Sequence, residues 1–148
     1  MKFSEFKGTG LQYLLALKNQ EIATSPMSQT IPMVVSHAEH GRVEYLVTPD
    51  ERHINIQGGT HGGFSAVVMD TITGCAVQTT LEEGVSFATI DLNTKLIRPL
   101  QLHKTYRAIG EVIHTGRNIL TSEGRIVDEN NKVFAYGSAT LMVTKRDK

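Results

Sequence analysis

From Gly62 to Leu81 the chain reads G-G-F-S-A-V-V-M-D-T-I-T-G-C-A-V-Q-T-T-L, and Asp70 is the one carboxylate in that run. Phe64, Val67, Val68, Met69, Ile72, Cys75, Ala76 and Val77 cover nearly the whole circumference of the helix that this pattern predicts. A helix that is apolar all round is a buried one, so other elements must wrap it. An aspartate on such a helix needs a partner, a hydrogen bond or a cavity. A carboxylate in that setting is a functional-site candidate. The bland alternative is a structural bond to the neighbouring Thr71 or Thr73 hydroxyl.

The wrapping elements are strands. Leu11 to Asn19 has helical spacing after a Thr9 or Gly10 cap, and Ser25-Pro26 ends it. Met33–Ala38 and Val43–Thr48 read as two strands joined by a His40-Gly41 turn, and residues 49–59 as a loop. After the long helix, closed by Glu82-Glu83-Gly84, four more strands follow: Ser86–Ile97, Thr105–His114, Asn118–Val127 and Val133–Val143. In the first of them Ala88, Ile90, Leu92 and Leu96 alternate with Thr89, Asp91, Asn93 and Lys95. Period-2 patterning indicates antiparallel strands with one face on a core. Because the strands do not alternate with helices, the class is α+β. The face carrying Gly110, Gly124, Gly137, Ala88, Ala108, Ala135 and Ala139 suits close approach by the helix.

The 148 residues form one domain, with residues 1–30 as a helical segment packed on it. Lys+Arg and Asp+Glu are both 15, so no broad basic footprint for nucleic acid exists. No apolar run reaches membrane-span length and the N-terminus has no apolar signal core, which predicts neither membrane nor export. The single Cys75 excludes an intrachain disulfide framework and fits the cytoplasm. In apolar surroundings Cys75 is a core residue and not a nucleophile. His37, His40, His53, His103 and His114 show no metal-ligand spacing, so no metal is expected.

Asn55-x2-Gly58-Gly59-x-His61-Gly62-Gly63, with Asp70 nine positions after the histidine, resembles the PaaI-type acyl-CoA thioesterases. Thr89-Ile90-Asp91-Leu92-Asn93 followed by Arg98-Pro99-Leu100, and Gly116-Arg117, resemble later parts of the same family. The likeness covers about Asn55 to Met142 and is looser over the first fifty residues. It implies the hotdog fold, an antiparallel curved sheet around a long central helix. It also implies an active site at a dimer interface in a dimer of dimers, with acyl-CoA as substrate and no separate cofactor.

The residues suit that chemistry. Gly62 and Gly63 begin a helix, where free N–H groups and the macrodipole favour a developing oxyanion. The resemblance implies that one of these amides polarises the thioester carbonyl, with Asn55 and His61 orienting substrate or bracing the loop. Asp70 would be general base or nucleophile. Thr89 stands where the family carries a hydroxyl and would hold the attacking water. Arg98, Arg117, Asn118 and Lys95 are candidates for the CoA phosphates or ribose, and by default solvated surface groups. His61 and Asp70 lie roughly 13 Å apart along a helix axis and half a turn out of phase. They cannot flank one thioester within one chain, so a shared site needs Asp70 from a second, two-fold-related subunit.

Three function classes remain open on the residues: an acyl-CoA thioesterase, a non-catalytic acyl-CoA-binding hotdog protein, and a hotdog dehydratase or isomerase. The acyl group, aryl or medium-chain, is expected to lie near Phe64, Val67, Val68, Met69 and the N-terminal helix. The Ile54–Gln57 loop is expected at the mouth of the cleft.

Overall fold

The computed structural model describes residues 1–146, with side chains as far as residue 144. Its elements are α1 (Gly10–Lys18), α2 (Pro26–Thr30), β1 (Met33–Glu39), β2 (Arg42–Val47), α3 (Gly62–Gln78), β3 (Val85–Leu96), β4 (Tyr106–Thr115), β5 (Ile119–Val127) and β6 (Val133–Arg146). The strands form one six-stranded sheet in the order β1-β2-β4-β5-β6-β3, antiparallel throughout. The sheet curves around α3, which gives the α+β, helix-in-sheet arrangement expected.

The N-terminal segment carries more structure than its spacing predicts. Thr9 caps α1: its hydroxyl accepts from Gln12 N–H at 3.3 Å, and the Gln12 side chain accepts from Thr9 N–H at 2.8 Å. Ser25-Pro26 does not merely stop a helix but starts α2. Ser25 accepts from Ser28 N–H at 3.3 Å, and Pro26 stands where a missing N–H costs nothing. Within the expected loop, Glu51–His53 forms a 3-10 turn. α3 ends at Gln78, three residues early, and Thr80 and Leu81 close it with turn bonds to Val77 and Gln78 carbonyls. At that end the Thr79 hydroxyl accepts from Gly41 N–H at 2.7 Å, which ties the β1–β2 turn to the helix.

The face pattern of β3 differs from the simple alternation. Thr89 pairs with Leu141 and Asp91 with Thr140, so Ile90 is an extra residue in a bulge. The bulge changes the phase of the strand. Phe87 and Thr89 before it, and Leu92, Thr94 and Leu96 after it, pair with Val143, Leu141, Ala139, Gly137 and Ala135 on the helix side. Ala88 and Lys95 pair with the exposed Met142 and Tyr136, so both lie on the outer face. Ala88 therefore drops out of the small-residue face. Gly137 does too, for another reason: a Cβ there would lie 2.1 Å from the Asn93 carbonyl of β3, not against the helix.

Gly110 and Gly124 do what the pattern predicts. A Cβ on Gly110 would sit 2.1 Å from the Ile72 carbonyl oxygen, and one on Gly124 would sit 2.8 Å from Met69 Sδ. β4 thus touches the α3 backbone itself, and β5 the Met69 and Ile72 side chains. Around this contact Val43, Val47, Val68, Ile72, Ile126 and Leu141 are fully buried, and the Ser122 hydroxyl donates to the Thr73 carbonyl at 3.0 Å. Gly110→Ala should lower stability by about 1–3 kcal/mol, because backbone cannot move aside like a flexible side chain. Gly59→Ala, which meets open space, should stay within about 0.5 kcal/mol. Urea denaturation of both variants checks this, and equal effects would contradict so close an approach.

Candidate active site

The loop before α3 is folded by Asn55. Its Oδ1 accepts from Gln57 N–H at 2.9 Å and Gly59 N–H at 3.1 Å, while its backbone N–H donates to the Gly59 carbonyl at 2.8 Å. This is an Asx-type turn. It braces the loop and leaves the Nδ2 donors of Asn55 with no partner among the described residues. Ile56, at the loop's tip, is fully solvent-exposed. Thr60 anchors the end of the loop by donating to the Leu100 carbonyl at 2.6 Å.

The helix entrance rests on a buried histidine that sequence spacing does not single out. The His53 carbonyl accepts from His61 N–H at 2.7 Å, and the His53 ring meets Phe64 edge-on at 4.8 Å between centroids. Its Nδ1 accepts from Asp50 N–H at 2.9 Å, so Nε2 carries the proton and donates to the Thr30 carbonyl at 2.8 Å. His53 thus joins α2, the 3-10 turn and α3.

His61 is the N-cap of α3. Its Nδ1 accepts from Gly63 N–H at 2.7 Å, and its carbonyl accepts from Phe64 N–H at 3.0 Å. Two of the first amides are therefore taken. Gly62 N–H donates to no acceptor among the described residues, so the free donor at this entrance is Gly62 and not Gly63. A groove of about 220 Å³ opens beside it, lined by Thr60, His61, Gly62, Ser65 and residues 96–100.

Asp70 is exposed in the single protomer, not enclosed as an all-round apolar helix would require. With His61, Ala66, Val67, Thr71 and Cys75 it lies along the part of the helix that the sheet leaves uncovered. The expected intrahelical bonds are not made: Thr71 and Thr73 donate to the Val67 and Met69 carbonyls at 3.0 and 2.8 Å. The hydroxyl that reaches Asp70 comes from the sheet. Thr89 Oγ1 donates to Asp70 Oδ1 at 3.0 Å. The bulge at Ile90 lies next to Thr89, which faces the helix.

Asp70 with Thr89, and Gly62 with His61, form two separate groups. Eight residues of helix separate Gly62 from Asp70, about 12 Å along the axis. The candidate cations are dispersed as well. Arg98 lines the Gly62 groove, hydrogen-bonds the Val133 carbonyl and sits 6.0 Å from the Phe134 ring centroid. Lys95 projects from the outer face, away from that groove. Arg117 and Asn118 occupy the β4–β5 turn near Leu81 and Glu82, at the other end of α3. One protomer does not bring these four together.

Cys75 is hydrogen-bonded by the Tyr45 hydroxyl at 3.2 Å. Burial pushes its thiol up to about 11; the Tyr45 bond acts the other way and the Asp70 charge adds to the rise. A thiol held in that form is scarcely ionised at neutral pH and is not poised for catalysis, although a strongly thiol-selective reagent in excess still traps its ionised fraction. Among the described residues no cluster of His, Cys, Asp or Glu has the makings of a metal site, and no helix is long and apolar enough to cross a membrane.

Known proteins share this architecture. The family model of the thioesterase superfamily matches residues 57–135. An esterase-like protein of Haemophilus influenzae is 33% identical over 101 residues, covering 68% of this chain and 72% of its own. Human acyl-coenzyme A thioesterase 13 is 28% identical over 104 residues, covering 70% and 74%. A phenylacetic acid degradation-related protein of Ralstonia eutropha superposes with a TM-score of 0.80 at 26% identity, covering 88% of this chain and 99% of that one. The family match spans more than half of the chain and includes His61-Gly62-Gly63, Asp70 and Thr89, so this protein belongs to the thioesterase superfamily, as a PaaI-type thioester hydrolase on the hotdog fold.

Proposed function

We propose that the protein hydrolyses acyl-CoA thioesters at a site completed by two protomers. The observation that carries this is the separation on α3: a carboxylate paired to Thr89 at mid-helix and a free amide at the helix entrance, about 12 Å apart. Two copies of α3 related by a two-fold axis bring the entrance of one helix to the Asp70 of the other. The surface beside Asp70 supports such a partner. β3 is an edge strand with open backbone groups, and Ile90, Leu96 and Ile97 are about half exposed along it.

In that arrangement Gly62 N–H, at the positive end of α3, polarises the thioester carbonyl. The Nε2–H of His61, which lines that entrance, orients the substrate, helped in this reading by the unpartnered Nδ2 donors of Asn55 from the preceding loop. Asp70 from the other protomer acts as base on water or attacks the carbonyl carbon to give a mixed anhydride. Either route breaks the C–S bond and expels CoA as the thiolate; on the second, water then cleaves the anhydride, releasing the free acid and restoring the Asp70 carboxylate. The Thr89 hydroxyl holds the carboxylate and steers its free oxygen. In this reading Arg98, which lines the Gly62 groove, meets the CoA arm, and acyl-CoA is the substrate that the name of the human relative also supports.

Asp70→Asn should lower kcat at least a hundredfold across a panel of acyl-CoA esters, followed by thiol release. Retained turnover would remove Asp70 from the mechanism. Thr89→Val should cost about tenfold to a hundredfold, the worth of one hydrogen bond to a charged group. Binding of CoA esters without turnover would identify a carrier instead, and hydration of an enoyl-CoA a dehydratase. Sedimentation equilibrium should show a dimer or a multiple of it; monomer alone would exclude the two-protomer site.

A further inference from the structure

A cavity of about 680 Å³ lies beside the uncovered stripe of α3, between that helix, the N-terminal segment and the first two strands. Its inner wall is Thr71 and Cys75, one helical turn apart on one face, and Thr71 is the residue after Asp70. Met33, Val35 and Tyr45 of the strands form the opposite wall. Tyr13 and Leu17 of α1, with Ile22 of the following loop, form the roof. Charged side chains occur only toward solvent, at Lys18 and Glu21, both exposed. The size is that of a small-molecule pocket.

The deep part is apolar and neutral. Tyr45 is buried, and its hydroxyl donates only to the weak acceptor Cys75 Sγ. A charged acyl terminus would find no counter-charge there, whereas a hydrocarbon would lose nothing by burial. The cavity starts next to the carboxylate, since Thr71 of its wall is the chain neighbour of Asp70. From the level of Asp70 to that of Cys75 is five residues of helix, about 7.5 Å. A chain advancing about 1.2 Å per bond covers that in about six bonds.

On the thioester assignment of the Asp70 site, we propose that this cavity is the chamber for the acyl chain, roofed by the segment from Tyr13 to Ile22. The preferred substrates then carry uncharged, apolar acyl groups long enough to reach Cys75, about seven carbons. The expected location of the acyl group is thereby revised. Phe64, Val68 and Met69 are buried in the core, and only Val67 of that set is partly uncovered. The N-terminal helix keeps its expected part.

Cys75 is the only cysteine of the chain, so it reports occupancy without any need for turnover. The native protein is treated with methyl methanethiosulfonate, and modification is followed by intact mass with CoA, S-ethyl-CoA or S-octyl-CoA present. S-octyl-CoA should slow modification at least tenfold, and the other two should not. In parallel, kcat/KM should rise about threefold to fourfold per added methylene from acetyl toward octanoyl. Cys75→Met should lower the octanoyl-to-acetyl ratio at least tenfold, and Ile22→Phe should do so where that variant fails to fold. Equal modification with all three ligands, together with a flat chain-length profile, overturns the chamber even if acyl-CoA is hydrolysed. Protection by S-octyl-CoA without hydrolysis of any ester retains the chamber and overturns the thioesterase instead.

Discussion

The closeness of α3 to the middle of the sheet is the constraint on which the rest of this structure depends. Where Gly110 lacks a side chain, the Ile72 carbonyl occupies the space a Cβ would need. This contact lets the sheet close around the helix instead of lying beside it. It also sets the rotation of the helix. With Ile72, Val68 and Met69 turned into the strands, Asp70 must emerge on the side the sheet leaves open. The exposure of the carboxylate is therefore a result of core packing, and no separate device is needed to hold it there. The N-terminal segment uses a similar contact at the other end of α3. A Cβ on Gly10 would strike the Gln78 carbonyl at 1.7 Å, and Gly10 N–H donates to the Leu81 carbonyl at 2.9 Å.

One helix supplies both polar groups of the proposed chemistry, and its rigidity separates them. Backbone amides are free only at a helix entrance, whereas a side chain at mid-helix is held by packing on both sides. The chain thus has a well-oriented donor and a well-oriented carboxylate that never meet within one molecule. Thr89 fixes the carboxylate from the sheet, and His53 fixes the entrance from below. Both supports act on backbone or carboxylate positions through direct hydrogen bonds. Small shifts in either would be transmitted to the reacting atoms.

Much of this was legible in the residues. Periodicity located α3 and six strands, because those patterns reflect burial on one face. The motif spacing picked out His61, Gly62 and Asp70, and the Thr9 cap was visible in its own neighbourhood. What escaped depends on contacts between distant segments. The bulge at Ile90 arises from pairing with β6, and alternation alone placed Ala88 on the wrong face. The entrance amide left free was ambiguous until the His61 ring was seen to take Gly63. His53 is joined to three elements brought together only by folding. Lys95, Arg117 and Asn118 are basic or polar in the right sequence neighbourhood, yet tertiary structure distributes them to the outer face and the far end of the helix.

The extra residue at Ile90 has an evolutionary corollary. Removing the Ile90 codon alone would straighten the strand and leave its other pairs in place, Thr89 with Leu141, Asp91 with Thr140 and Leu92 with Ala139, so inside and outside would be kept. The bulge is therefore a place where β3 can change length without turning its faces over, whereas a deletion within either regular stretch would exchange inside for outside; the polar β5–β6 connection at residues 128–132 is under no such parity.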